Sequence, residues 1–373
     1  MSVGALGLLA AWLLLCVPAP GAPAWTADAD CIDAILRDFR QKYDIAGLSF
    51  ALAEDGRLLF AKGYGYADKE RKIEVRPTHL FRIASVSKAI TSVAVLTLVE
   101  QGKLALSDRI FGDRGILARR YGLPKGFPQL GDMTVAQLLE HSGGGWPNDA
   151  HDPMFQRYDL NRAELIRWTL AKYDLAAAPG QKYAYSNFGY LLLGRVIEQV
   201  AGQPYEEYVK SAVLRRAGIS DMHVAGDSLA QRRPNEVLYY DEGDAPYRVR
   251  VSRMDAHGGW LATPTDLLRL LVRLGGSAGK AGILKPATIA VMTSPSSANR
   301  NYAKGWCVNA ARNWWHSGSL PGTYAFLVRA HNGFCWAILM NQRRPQAVFA
   351  ADVDRLGWTI LDRVRTWPAH DLF

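Results

Sequence analysis

Phe81-Arg-Ile-Ala-Ser-Val-Ser-Lys-Ala-Ile90 places Ser85 and Lys88 three residues apart, directly ahead of a run from Ala89 to Gln101 that is apolar on nearly every side. If that run is helical, positions i and i+3 share a face, and the Lys88 amine lies beside the Ser85 hydroxyl. A helix apolar all round is a buried one, and Gly102 suits the position just past its end. Ser85 then falls at a helix start, where free backbone N–H groups and the helix dipole favour developing negative charge. That position suits a nucleophile. The same Ser-x-x-Lys spacing recurs at Ser277 and Lys280, but in Gly275-Gly-Ser-Ala-Gly-Lys-Ala-Gly282, whose flexible glycines hold no geometry.

On the N-terminal side of this stretch, Asp28 to Tyr43 reads as a charged amphipathic helix. Two strand-like runs follow, Gly47–Ala53 and Arg57–Tyr66, joined by Glu54-Asp55-Gly56, a hairpin turn signal. On the other side the chain is helical with loops between. Thr134-Val-Ala-Gln137 is a capping box opening a helix towards His141. Phe188 to Ala201 is a strongly apolar helix stopped by Gly202, and Thr263 caps a third helix with Pro264 at its first position.

After about Ser294 the character changes. Asn301–Asn309, Asn313–Ser317, Thr323–His331 and Phe334–Asn341 read as strands, with Asn332-Gly333 a hairpin turn between the last two. A final helix spans roughly Ala347 to Arg365. Strands at both chain ends with helices between predict an α+β fold. One antiparallel sheet is built from both ends and flanked by the terminal helices, and the helical middle is inserted as a second lobe. The sheet lobe takes about 28–80 and 295–373 and the helical lobe about 81–294, with a cleft where they meet.

The 373 residues begin with a segment that reads as a secretion signal. Residues 4 to 17 are apolar without a charge, and Ala22-Pro23-Ala24 forms an A-x-A cleavage site before Trp25. Residues 1–24 are therefore expected to be removed, leaving one folded unit over 25–373 outside the cytoplasm. The run is too short for a comfortable membrane span, and no later run is long enough. In Leu13-Leu-Leu-Cys16 a bulky leucine precedes the cysteine, which argues against a lipid-attachment site.

With 49% hydrophobic and 21% charged residues, the composition is that of an ordinary globular protein. The formal charge of +9 is scattered, without a basic block interleaved with aromatics, so nucleic acid is not an expected partner. A cleft that attracts small molecules or short peptides, carboxylate-bearing ones included, is the more natural consequence. Cys31, Cys307 and Cys335 remain after the signal; none stands near a histidine in metal-ligand spacing, and buried free thiols are expected. No metal or other cofactor is expected.

Two further signals follow Ser85-x-x-Lys88 in order. Tyr185-Ser-Asn187 sits in the loop Pro179-Gly-Gln-Lys-Tyr-Ala-Tyr-Ser-Asn-Phe188, directly before a helix. Ser186 or Asn187 suits a cap there, while the Tyr185 phenol can relay protons and the Asn187 amide can bind a carbonyl. His316-Ser-Gly318 lies on a predicted strand, and its glycine lets a substrate approach the backbone. His-x-Gly also occurs at His141, His257 and His331, in each case read as a loop or turn.

Taken together, the three motifs resemble the serine β-lactamase and penicillin-binding protein superfamily, in its class C-like branch. The resemblance runs from about Ile45 to Leu361 and includes Leu138-Leu-Glu-His-Ser-Gly143, Gly258-Gly-Trp-Leu-Ala-Thr263 and His316–Thr323. It implies an acyl-enzyme mechanism with Ser85 as nucleophile, Lys88 as base and Tyr185 as proton relay and base for release. It further implies an oxyanion hole from the Ser85 and Ser319 N–H groups, and substrate held by Asn187, His316, Gly318 and Ser319. His316 stands where β-lactamases of this branch usually carry lysine, a form more similar to D,D-peptidases, D-amino-acid peptidases and esterases. The expectation is a secreted serine hydrolase acting on a small amide or ester. The alternatives are a true β-lactamase and a penicillin-recognising sensor that is acylated without turnover.

Overall fold

In the computed structural model, residues 24–122, 128–241, 245–276, 282–345 and 347–373 are described. The expected secretion signal through residue 23 and the second Ser-x-x-Lys, Ser277 and Lys280, lie outside them. Among the described residues ten strands run β1 (Gly47–Glu54), β2 (Arg57–Asp68), β3 (Ile73–Glu74), β4 (Phe81–Arg82), β5 (His223–Val224), β6 (Trp260–Ala262), β7 (Cys307–Val308), β8 (Trp314–Leu320), β9 (Thr323–Arg329) and β10 (Phe334–Met340). Seven of them form one sheet in the order β3-β2-β1-β10-β9-β8-β7, and every pairing in it is antiparallel. The chain ends meet at the central β1–β10 pair, from Leu48 opposite Met340 to Glu54 opposite Phe334. This is the α+β arrangement expected of strands at both ends. A small sheet, β4-β6-β5, lies beside it.

The central strands are buried on both faces, and their alternation sorts the two cores. On β10, Phe334, Trp336, Ile338 and Met340 face the terminal helices Ala24–Lys42 and Ala347–Arg363, while Cys335, Ala337 and Leu339 face the helical middle. The terminal helices seal the first face through Phe39, Tyr43 and Phe349, whose ring centroids lie 5.0–6.0 Å apart. Trp358 meets Trp336 edge-on at 4.9 Å. The second core centres on the Ser87–Glu100 helix, buried from Ser87 to Leu98, and on the Asn187–Ala201 helix.

Local signals act as read. Asp55 and Gly56 both take positive φ in the β1–β2 turn. Thr134 and Gln137 cap each other reciprocally at the Val135–Leu139 helix. Thr263 caps Pro264–Leu274. Cys307 and Cys335 are free thiols. One strand differs: of Asn301–Asn309 only Cys307–Val308 is extended. The preceding residues form a tight turn against the Ser87–Glu100 helix, with Gly305 at φ +82° and so close that a Cβ would lie 2.7 Å from Ser92 Cβ. Packing on a buried helix overrides the strand preference there.

Gly357 sits mid-helix where Trp336 crosses, and a Cβ would fall 2.2 Å from the indole. Gly357→Ala is expected to lower the unfolding free energy by about 1–3 kcal/mol through overpacking, despite the better helix propensity of alanine. Denaturant unfolding checks this.

Candidate active site

The segment carrying Ser85 is anchored before it is shaped. β4 pairs with β6, and Ile83 N–H donates to Trp260 O at 3.0 Å. Arg82 is buried against Glu236, donates to Pro246 O at 2.6 Å and lies 4.5 Å from the Tyr239 ring centroid. The next residue but one, Ala84, is held at φ +45°, a strained left-handed conformation for a residue with a Cβ. Ser85 itself lies in a 3₁₀ turn, Ala84–Val86, and not on the α-helix that begins at Ser87. Lys88 occupies the first turn of that helix. The expected pairing survives this change, with Lys88 Nζ 3.1 Å from Ser85 Oγ.

Lys88 is fully buried. Its amine also donates to Asn187 Oδ1 at 2.7 Å and to the backbone carbonyl of His257 at 2.9 Å. Burial pushes its pKa well below the ordinary lysine value, and the nearby Asp152 carboxylate partly opposes this. Asn187 opens the Asn187–Ala201 helix, with Ser186 as the cap accepting from Gly189 N–H. Its amide orientation is fixed, because Nδ2 donates to Asp152 Oδ2 at 2.6 Å and to Asn148 Oδ1 at 2.9 Å, leaving Oδ1 for lysine. Asp152 is buried too, and burial raises its pKa, opposed by the bond from Asn187 and by the Met154 N–H.

Tyr185 is packed so that Lys88 Nζ lies 4.7 Å from its ring centroid. Burial raises its pKa, and a hydrogen bond with Ser85 opposes this without reversing it. The phenol therefore keeps its proton at neutral pH, so it can pass protons but does not rest as an anion. His316 is 3% exposed, with its pKa pushed down to about 3 by burial first and by Lys88 second. The space beside Gly318 is not open to a ligand, as expected of a binding glycine. It is filled by the Ile83–Ser85 backbone, and a Cβ would lie 2.2 Å from Ile83 O and 2.9 Å from Ser85 N. Glycine here lets β8 dock on the serine turn.

A cleft of about 480 Å³ opens over these groups. Ser85, Tyr185, Asn187, His316 and Ser319 all line it, so the predicted residues other than Gly318 and the submerged Lys88 share one cavity wall. The wall also includes Asp149, Asp152, Tyr302 and Arg343, none of which was picked out from sequence, and His257, which was read there as a loop residue. His141, read as a loop residue, is 1% exposed, and its ring lies 4.1 Å from that of Tyr185. Its place in Leu138-Leu-Glu-His-Ser-Gly143 was the only hint in the sequence, and its backbone is left-handed at φ +57°. Among the described residues no group of three or more His, Cys, Asp and Glu could hold a metal ion. A serine hydroxyl, a buried amine of lowered pKa and a protonated phenol in mutual contact can activate an oxygen nucleophile without a metal.

Comparison with known proteins points the same way. The chain is 26% identical over 307 residues to Protein flp of Staphylococcus aureus (strain NCTC 8325 / PS 47), covering 80% of this chain and 59% of that one. To Penicillin-binding protein 4* of Bacillus subtilis (strain 168) it is 24% identical over 326 residues, covering 80% and 68%. Among solved structures it resembles D-amino acid amidase from Ochrobactrum anthropi SV3, with a TM-score of 0.74 at 22% identity over 90% of this chain and 98% of that one. It also resembles the octameric penicillin-binding protein homologue from Pyrococcus abyssi, with a TM-score of 0.70 at 23% identity over 89% and 78%. The chain thus spans about 59% of the length of Protein flp. Residues 32–357 match the Beta-lactamase family, and with a seven-stranded antiparallel sheet and a Ser-x-x-Lys pair whose lysine is buried beside it, the chain belongs to that family.

Proposed function

We propose that this chain is a secreted serine hydrolase that cleaves a small amide or ester through an acyl-serine. The observation that carries the reading is Lys88, an amine without water contact, 3.1 Å from Ser85 Oγ, with Asn187 and the His257 carbonyl taking its two other contacts. A neutral amine has one lone pair and two N–H groups. Those three contacts match it if the Ser85 hydroxyl donates to the lone pair. Ser85 Oγ then bonds to the substrate carbonyl carbon as its proton passes to Lys88 Nζ. The C–N or C–O bond breaks, and the leaving group takes the proton back through the Tyr185 phenol. Water attacks the acyl-serine by the reverse relay, releasing a carboxylic acid and restoring Ser85. The Ser85 and Ser319 N–H groups are assigned to the carbonyl oxygen and the 316–319 strand to holding the substrate, while Asn187, its amide engaged by Lys88, Asp152 and Asn148, holds the lysine.

Similarity to D-amino acid amidase and to Penicillin-binding protein 4* supports an amide of an amino acid or a D,D-peptide as substrate class. His316, uncharged where β-lactamases of this branch carry lysine, weighs against efficient β-lactam destruction. Among the described residues no helix is long and apolar enough to cross a membrane. The charge-free apolar run of residues 4 to 17 and the Ala22-Pro23-Ala24 site support an extracytoplasmic product beginning at Trp25.

Intact mass after a fluorophosphonate or a penicillin should show one adduct, mapped to Ser85, on a chain that starts at Trp25. An adduct persisting in Ser85→Ala, or exported protein that retains Met1, sinks the corresponding assignment. Turnover of p-nitrophenyl butyrate above that of nitrocefin is expected, whereas labelling without any turnover would establish a sensor. Tyr185→Phe should lower kcat by roughly 10²–10⁴ with Tm nearly unchanged; normal kcat would leave Lys88 as the only proton carrier.

Because Lys88 works unprotonated, kcat/KM should rise with pH through a limb whose midpoint lies well below 10.5, the ordinary lysine value. Asp152 raises the Lys88 pKa, so Asp152→Asn should move that limb to lower pH. A shift to higher pH would refute this electrostatic assignment.

A further inference from the structure

A buried line of four hydrogen bonds runs behind the cleft. Ser186 N–H donates to His141 Nδ1 at 3.1 Å, and His141 Nε2 lies 3.1 Å from Tyr302 Oη. Tyr302 Oη lies 3.2 Å from His316 Nε2, and His316 Nδ1 lies 2.6 Å from Ser317 O. The two ends decide every link between them. A backbone N–H can only donate, so His141 Nδ1 is unprotonated and, in the neutral ring, Nε2 carries the proton towards Tyr302. A carbonyl can only accept, so His316 Nδ1 carries its proton, leaving Nε2 as acceptor of the Tyr302 hydroxyl. Tyr302 therefore receives from one histidine and donates to the other, and both rings are satisfied without charge.

We infer that His141 and Tyr302 are positioning residues that hold His316 uncharged in its Nδ1–H tautomer, so that the 316–319 strand engages the uncharged part of an ester or amide and forms no ion pair with a carboxylate. The inference rests on the proposed reading of that strand as substrate-facing. Protonating His316 would aim a second N–H at Tyr302 Oη, which already accepts from His141, and would turn the Tyr302 proton away from His316 towards its other hydrogen-bonding neighbour, Tyr190. The groups around this line reinforce the arrangement. Burial is the first cause that lowers the pKa values of both histidines, and a proton on Lys88, on the helix below, would lower them further. From the other sides face Tyr185, Tyr183 and Cys307, whose pKa values are all raised by burial. Tyr190 lies against His141 with ring centroids 5.0 Å apart and donates its own proton to Leu139 O at 2.8 Å. All three members of the line are at most 3% exposed.

The test is long-range ¹H–¹⁵N correlation on ¹⁵N-histidine-labelled protein, with His316 assigned by its loss in His316→Gln. His316 should show a protonated Nδ1 and a bare Nε2 that stay constant from pH 5 to 8, whether or not any ester is turned over. Tyr302→Phe should abolish the fixed pattern, giving mixed tautomers or titration within that window. Protonation of His316 between pH 5 and 8 in the unaltered protein overturns the inference. So does a signature unchanged by Tyr302→Phe in a folded variant. If that variant does not fold, the pH series on the unaltered protein decides alone. Hydrolase assays on the same samples separate this outcome from the fate of the proposed function.

Discussion

Keeping one amine dry is the constraint on which the site depends. A lysine removed from water is tolerated as a neutral group only if each of its hydrogen-bonding positions meets a partner of the right sense. For Lys88 those partners come from a 3₁₀ turn, a helix start and a loop carbonyl, at Ser85, Asn187 and His257. They are separated along the chain by 99 and 169 residues from Lys88 in the last two cases. Moving any one by an ångström would leave a buried polar group unpaired, at a cost of about 1–3 kcal/mol. Stability and reactivity therefore ask for the same geometry.

Each partner is held by its own buried support. The loop carrying the His257 carbonyl is tied at Ala256, whose carbonyl accepts from Thr91 on the lysine helix at 2.6 Å. One residue earlier, Asp255 pairs with Arg195 of the Asn187–Ala201 helix at 2.8 Å, with both side chains almost wholly buried. That ion pair joins two of the three elements around Lys88. A pair so deeply buried is a weak source of net stability, and it belongs to a network in which Asp255 also meets Arg162 at 3.2 Å and Arg195 also meets Glu198 at 3.0 Å. Asp152 does the corresponding work for Asn187 by fixing which end of the amide faces the lysine.

The serine turn carries the strain. Ala84 at φ +45° sits between an anchored strand and a buried helix, so it cannot relax without moving one of them. From the sheet side, Gly318 comes so close to Ile83 O and Ser85 N that only a residue lacking Cβ fits. Thr323 adds a further tie, with its hydroxyl 2.8 Å from Arg82 O. The edge of the large sheet thus sets the serine from one side as the helix sets it from the other. This is the physical content of the third motif beyond any contact with substrate.

Most of the architecture was legible in the sequence, because its signals are local. Asp55-Gly56, the Thr134 capping box, Thr263-Pro264 and the periodic apolar runs each act through neighbours within a few residues, and the structure follows them. Ser85 with Lys88 and Tyr185 with Asn187 were legible for the same reason, since their spacing places them on one turn or one helix start. The segment 301–306 was misread as strand because a backbone preference there yields to packing against a helix formed far earlier in the chain. His141, Asp152, Tyr302 and the His257 carbonyl carried no such local pattern. A histidine before glycines reads as a loop until its two ring nitrogens are seen between Ser186 and Tyr302. The sequence by itself determined which residues could do chemistry and which elements carry them. Only the tertiary structure decided their protonation states, because burial and the sense of each hydrogen bond are set by atoms brought together from distant parts of the chain.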